Sequence, residues 1–133
     1  MPSLLRSRIL IAAALLLGVS CGSGSTGPSG SGTLHLTLTT PHADDGAVMF
    51  TVHGTAIDSV TFPVAYSGYY RRSADRDTVT VIVAGHVGNG VIADLTVPAG
   101  SPASGYTALV KQAAQRSTFA QRTLSGYLVA VSQ

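Results

Sequence analysis

A chain of 133 residues suits a single domain, which typically holds roughly 100–150 residues. Its formal charge of +2 depends on Arg6 and Arg8; beyond position 20, six basic side chains balance six Asp. A neutral domain has no overall field for a phosphate backbone, which argues against nucleic acid as a partner and against a polybasic membrane patch.

Residues 1–20 have the tripartite layout of an export signal. Arg6 and Arg8 supply the positive start, and an apolar stretch runs from Ile9 to Leu17. About nine residues fall well short of the roughly 20 needed for a permanent membrane-spanning helix. Gly18, Val19 and Ser20, small or modest in size, lead to Cys21. Leu17-Gly18-Val19-Ser20-Cys21 resembles the lipobox of bacterial lipoproteins, with Gly18 where Leu is usual. That resemblance implies a diacylglycerol thioether on Cys21, cleavage before it and acylation of the new amine. An ordinary signal peptide cut at the same bond is the alternative. Cys21 is the only cysteine in the chain, so it has no internal disulfide partner, and lipidation gives it a use. Two or three acyl chains make an attachment effectively permanent, where one myristoyl chain holds only marginally. Gly22 in place of Asp implies the outer membrane by the sorting pattern of enteric lipoproteins.

Residues 21–32, CGSGSTGPSGSG, read as a flexible linker. Their root-mean-square reach is roughly 20 Å and their stretched limit roughly 40 Å. No G-x-x-x-x-G-K-[ST] occurs, so the glycines are not a phosphate loop.

Residues 33–133 form the domain. It has no Glu and one Lys, and it is rich in the β-branched residues Thr and Val, a composition that favours strands. Leu34, Leu36 and Leu38 alternate with His35, Thr37 and Thr39, and Val48, Phe50 and Val52 alternate with Met49, Thr51 and His53. Pro41–Gly46 is a turn between them. Strands over 56–62 and 64–70 follow, then a charged exposed loop over Arg71–Asp77. The run Thr78–Ala84 and the alternation over Gly90–Val97 flank His86-Val87-Gly88-Asn89-Gly90, which predicts a β-hairpin. In that alternation Val91, Ala93, Leu95 and Val97 share one face. After a turn over 98–104, strands are expected over 106–111 and 124–131. Residues 112–122 suit either two helical turns or a loop with an extended arm. The fold expected is all-β, an antiparallel β-sandwich of seven or eight strands, with a small β-barrel as the alternative. Gly90–Val97, Tyr106–Val110 and Gly126–Val131 resemble, in order, strands of cohesin-like and immunoglobulin-like surface modules.

Candidate chemistry is sparse. His35 and His53 fall on polar strand faces, and His42 and His86 fall at turns. No H-x-x-x-H pair exists, so no metal ligand set is assigned. His42, Asp44 and Asp45 sit in one turn, where Asp capping its own backbone explains them. Asp75 and Asp77 lack the rest of a calcium loop, and Arg71, Arg72 and Arg76 favour ion pairing there. Neither G-x-S-x-G nor H-E-x-x-H occurs, and no catalytic residue or cofactor is assigned. Tyr66, Tyr69 and Tyr70 are the one aromatic cluster and the candidate ligand contacts. On a strand Tyr66 and Tyr70 share a face and Tyr69 opposes them, which equally suits two core rings and one ring covering an edge. The expectation is a non-catalytic lipoprotein, exported and held to the cell envelope by lipid on Cys21, with a protein or glycan partner there. A glycan or small-ligand module using Tyr66–Tyr70 is the alternative.

Overall fold

A computed structural model describes residues 31–133. Cys21, the apolar segment and the linker up to residue 30 lie outside the described residues. Eight strands follow in order: β1 (Ser31–Thr39), β2 (Asp45–His53), β3 (Ser59–Thr61), β4 (Tyr66–Arg72), β5 (Thr78–Val87), β6 (Gly90–Pro98), β7 (Thr107–Gln115) and β8 (Leu128–Ser132). They form two four-stranded antiparallel sheets, sheet A in the order β3-β6-β1-β8 and sheet B in the order β4-β5-β2-β7. This is a sandwich. β1 begins at Ser31, and Gly32 lies opposite Val97, so pairing starts two residues inside the segment that composition assigns to the linker.

The inward rows meet between the sheets. Leu34, Leu36, Leu38, Leu95 and Val97 come from sheet A, and Val48, Phe50, Val52, Val79, Val81 and Val83 from sheet B; all are buried. Full burial of each such side chain contributes about 1.5–3 kcal/mol, which makes the shared core the main source of stability.

Six of the seven connections cross from one sheet to the other, and only β4–β5 is a hairpin. The segment Val87–Gly90 is therefore not the hairpin its turn residues suggest. β5 pairs with β2 and β4, whereas β6 pairs with β1 and β3. The chain arches over the core, so both apolar strand faces meet across it. Asn89 does not take a positive φ; its side-chain oxygen accepts a hydrogen bond from the Thr40 amide at 2.7 Å, joining this arch to the one between β1 and β2.

The phase of β6 also differs from strict alternation. The β1–β6 register shifts between Leu36 and Thr37, leaving Ile92 as an extra residue in β6. A bulge of this kind breaks the period of two. Ile92 and Ala93 both face the core, and Val91 is left 41% exposed.

Residues 112–122 are not helical. β7 continues to Gln115, placing Ala113 beside Val48 in the core, and a turn then brings Gln121 back beside Ala114 as an isolated bridge. β8 starts at Leu128, later than the sequence pattern suggests. His86 lies within β5 rather than at a turn. Arg71 and Arg72 belong to β4, and the turn of the hairpin is Ser73–Asp77.

Candidate functional site

The three tyrosines of β4 do not converge. Tyr66 and Tyr70 are half-buried and pack against the core, while Tyr69 is 67% exposed on the outer face of sheet B. Tyr69 lies opposite Ile82, and Ile82 lies opposite Met49 on the next strand. Met49 in turn lies opposite Gln112. A largely apolar row thus crosses four strands on a face that a two-layer sandwich ordinarily presents to water.

This row runs into a groove of about 300 Å³ whose lining includes Ala47, Met49, Ile82, Gln112, Phe119 and Gln121. Phe119 is 82% exposed and holds φ at 56°. An aromatic residue in the left-handed region is uncommon and strained, and strain of this kind persists only where the surroundings impose it.

The surroundings are a polar knot at the start of β2. Asp45 is fully buried and accepts hydrogen bonds from the Thr40 hydroxyl at 2.6 Å and the Tyr127 hydroxyl at 2.8 Å. Arg122 Nε stands 3.4 Å from the same carboxylate, and its Nη2 pairs with Asp44. Gln115 donates its amide to Asp44 at 2.9 Å. Burial and the hydrogen bond to Asp45 raise the Tyr127 hydroxyl above the usual phenol range. The knot holds both ends of the segment 116–127, which is further pinned by the amides of Arg116 to Asp44 O and Arg122 to Ala113 O. Between those ends the Phe119 amide reaches Gln115 O at 3.0 Å, which closes the tight turn. Asp44 and Asp45 thus tie distant parts of the chain together, beyond capping their own turn.

Gly46 sits under this strap. A Cβ there would lie 2.6 Å from the Arg116 Cα, so only glycine allows the two backbones to pass.

The histidines are dispersed. His35 Nδ1 meets Asp94 at 2.6 Å on the outer face of sheet A, and His53 Nδ1 meets Thr78 Oγ1 at 3.0 Å. His86 Nε2 lies 3.0 Å from Ala43 O, and the His42 ring lies 5.9 Å from that of Tyr127. Among the described residues no three His, Cys, Asp or Glu side chains group to hold a metal ion. In the hairpin turn Arg76 pairs with Asp58 rather than with its neighbours. Asp77 accepts the Ser73 hydroxyl at 3.0 Å, which lowers its pKa below the ordinary carboxylate value.

Phe119 and the groove escaped the sequence reading because they fall in the segment whose pattern fitted neither period. Met49, Ile82 and Leu109, apolar residues on the outward phase of their strands, are the sequence signal of an exposed apolar face. No protein-family profile, curated protein or solved structure matches the chain.

Proposed function

We propose that this is a membrane-tethered, non-catalytic lipoprotein of the bacterial cell envelope, whose sandwich binds a protein partner through the outer face of sheet B. The observation that carries the interaction surface is the row Tyr69–Ile82–Met49 ending under Phe119. Exposed apolar rows rimmed by polar groups mark contact sites, and rigid aromatic rings dominate their energetics. The lipobox-like Leu17–Cys21 and the lone thiol support the anchor. In cells, a photo-crosslinking residue at position 119 or 69 should give a discrete adduct that one at Ser101, at the far end of the sandwich, does not. Equal adducts from all three positions, or none, overturn the surface. Cys21→Ser should release the protein from membranes and remove lipid from its intact mass; a wild-type protein already free of lipid overturns the anchor.

The second reading is a glycan or small-ligand module centred on β4. It is favoured by the exposed Tyr69 ring beside a groove that also presents the Gln112 and Gln121 amides. Since Tyr66 and Tyr70 pack inward, Tyr69→Ala is the clean probe. Glycan-array binding abolished by Tyr69→Ala supports this reading, and binding unchanged by it removes the reading.

A further inference from the structure

We infer that the protein met by the outer face of sheet B is a second copy of this chain, an inference that rests on the proposed function. Among the described residues, half of the exposed large apolar side chains (Tyr69, Ile82, Leu109 and Phe119) belong to this face. The row Tyr69–Ile82–Met49 has a neighbour of a different kind. Ser67 lies opposite Ala84, Ala84 opposite Ala47, and Ala47 opposite Ala114, so the next row is small on all four strands. A large row beside a small one makes a step across the sheet, and at the β7 side the step deepens into the groove lined by Ala47, Ala114 and Phe119.

Phe119 and the small row suit each other, but not within one chain. Phe119 stands 82% exposed in a turn whose two ends are pinned, so its ring projects instead of covering the alanines beside it. A cavity of about 150 Å³ already takes a benzene ring, and the groove offers about 300 Å³. A surface that carries both a projecting ring and a recess able to receive one is self-complementary, the requirement for an isologous two-fold contact. The charges agree. The inner strands β2 and β5 present no Lys, Arg, Asp or Glu outward, while Arg71 and Lys111 lie on the edge strands β4 and β7. Facing copies therefore meet at an uncharged centre with cations at the rim, the usual distribution in a protein contact.

Area sets the strength. Four strands about 4.8 Å apart and seven to ten residues long give a face of roughly 20 by 25 Å, about 500 Å² per copy. Two such faces bury about 1,000 Å², the lower bound for a specific interface, and predict a dissociation constant in the micromolar range. A two-fold axis along the strands lays β7 of one copy over β4 of the other, which carries each Phe119 to the small row of the second copy near Ser67. The same axis keeps both Ser31 residues at one end. β1 runs from Ser31 to the arch at Thr40, and the turn of Phe119 is pinned to Asp44 in that arch through the Arg116 amide. The chain thus enters each copy at the end away from Phe119, and both leaders lie on one side, as two chains anchored in one membrane through Cys21 require.

The test uses the purified Cys21→Ser chain, its mass followed by sedimentation equilibrium from about 1 to 200 µM, the range that brackets such an interface. The mass should rise from one chain to two. Ile82→Lys, at the centre of the face, and Phe119→Ala should each weaken the dimer by at least about tenfold. Leu128→Lys, exposed on sheet A, should leave it unchanged, and amide spectra check the fold of all three. Geometry is read by mixing chains: a Phe119→Cys chain should form a disulfide with a Ser67→Cys chain faster than with a Leu128→Cys chain. In cells, the adduct from a photo-crosslinking residue at position 119 should have the mass of two chains. A chain that stays monomeric at the highest concentration, a dimer indifferent to Ile82→Lys and Phe119→Ala, or equal disulfide rates overturn the inference. An adduct of another mass also overturns it but leaves the sheet B surface standing, whereas no adduct from positions 69 and 119 removes that surface as well.

Discussion

Replacing Asp45 with Ala should be among the most damaging single changes in the domain. The carboxylate is fully buried, and its removal strands two donors, the Thr40 and Tyr127 hydroxyls, and takes away the charge that faces the buried Arg122 Nε at 3.4 Å. Breaking a buried pair by removing one partner costs about 3–5 kcal/mol, because the remaining charge stays desolvated. Arg122 keeps Asp44 and its side chain is 19% exposed, which places the expected loss near the lower bound. A loss of about 3 kcal/mol is a large share of the roughly 5–15 kcal/mol that hold a domain folded. For a domain of this size it lowers Tm by roughly 12–24 °C. Urea denaturation should show a lower midpoint with an unchanged slope. Asp45→Asn, which keeps an acceptor but not the charge, should lose about 1–2 kcal/mol. A cycle with Arg122→Met should reveal coupling of at least about 1 kcal/mol. If Asp45→Ala costs under about 1 kcal/mol, the knot is not what holds residues 116–127.

Three further outcomes follow from the same region. Gly46→Ala brings its Cβ against the Arg116 backbone and should destabilise by about 1–3 kcal/mol, with the largest amide shifts in residues 115–122. Phe119→Gly relieves a left-handed φ at the cost of chain entropy, so stability should stay within about 1 kcal/mol of wild type while crosslinking to the partner is lost. Tyr127 favours its neutral form in the folded state, so its stabilisation is complete below the ordinary phenol pKa and is lost as pH rises through the folded value. Tyr127→Phe should remove that alkaline loss, and the late-titrating phenol should vanish from the ultraviolet titration.

The strand faces were legible because burial on one side imposes a period of two. Leu34, Leu36 and Leu38 and Val48, Phe50 and Val52 point inward as their spacing requires. Tyr66, Tyr69 and Tyr70 divide between the faces for the same reason. What pattern cannot express is which sheet a strand joins. Gly88-Asn89 announces a reversal, but a reversal within a sheet and an arch across the core bury the same side chains. The bulge at Ile92 is invisible for a related cause, since one extra residue changes phase without changing composition. The groove lay beyond reach because Phe119 owes its position to Asp44, Asp45 and Arg122, residues brought together only by the fold.

The place of β1 has a mechanical consequence. The first strand lies inside sheet A, flanked by β6 over most of its length and by β8 over its second half. Tension applied at Ser31 along the strand would load these two hydrogen-bonded ladders in parallel, in shear, rather than opening them pair by pair. A sandwich hung from its first residue and pulled by whatever it holds would resist with both ladders at once. An edge strand entering from the same point would peel.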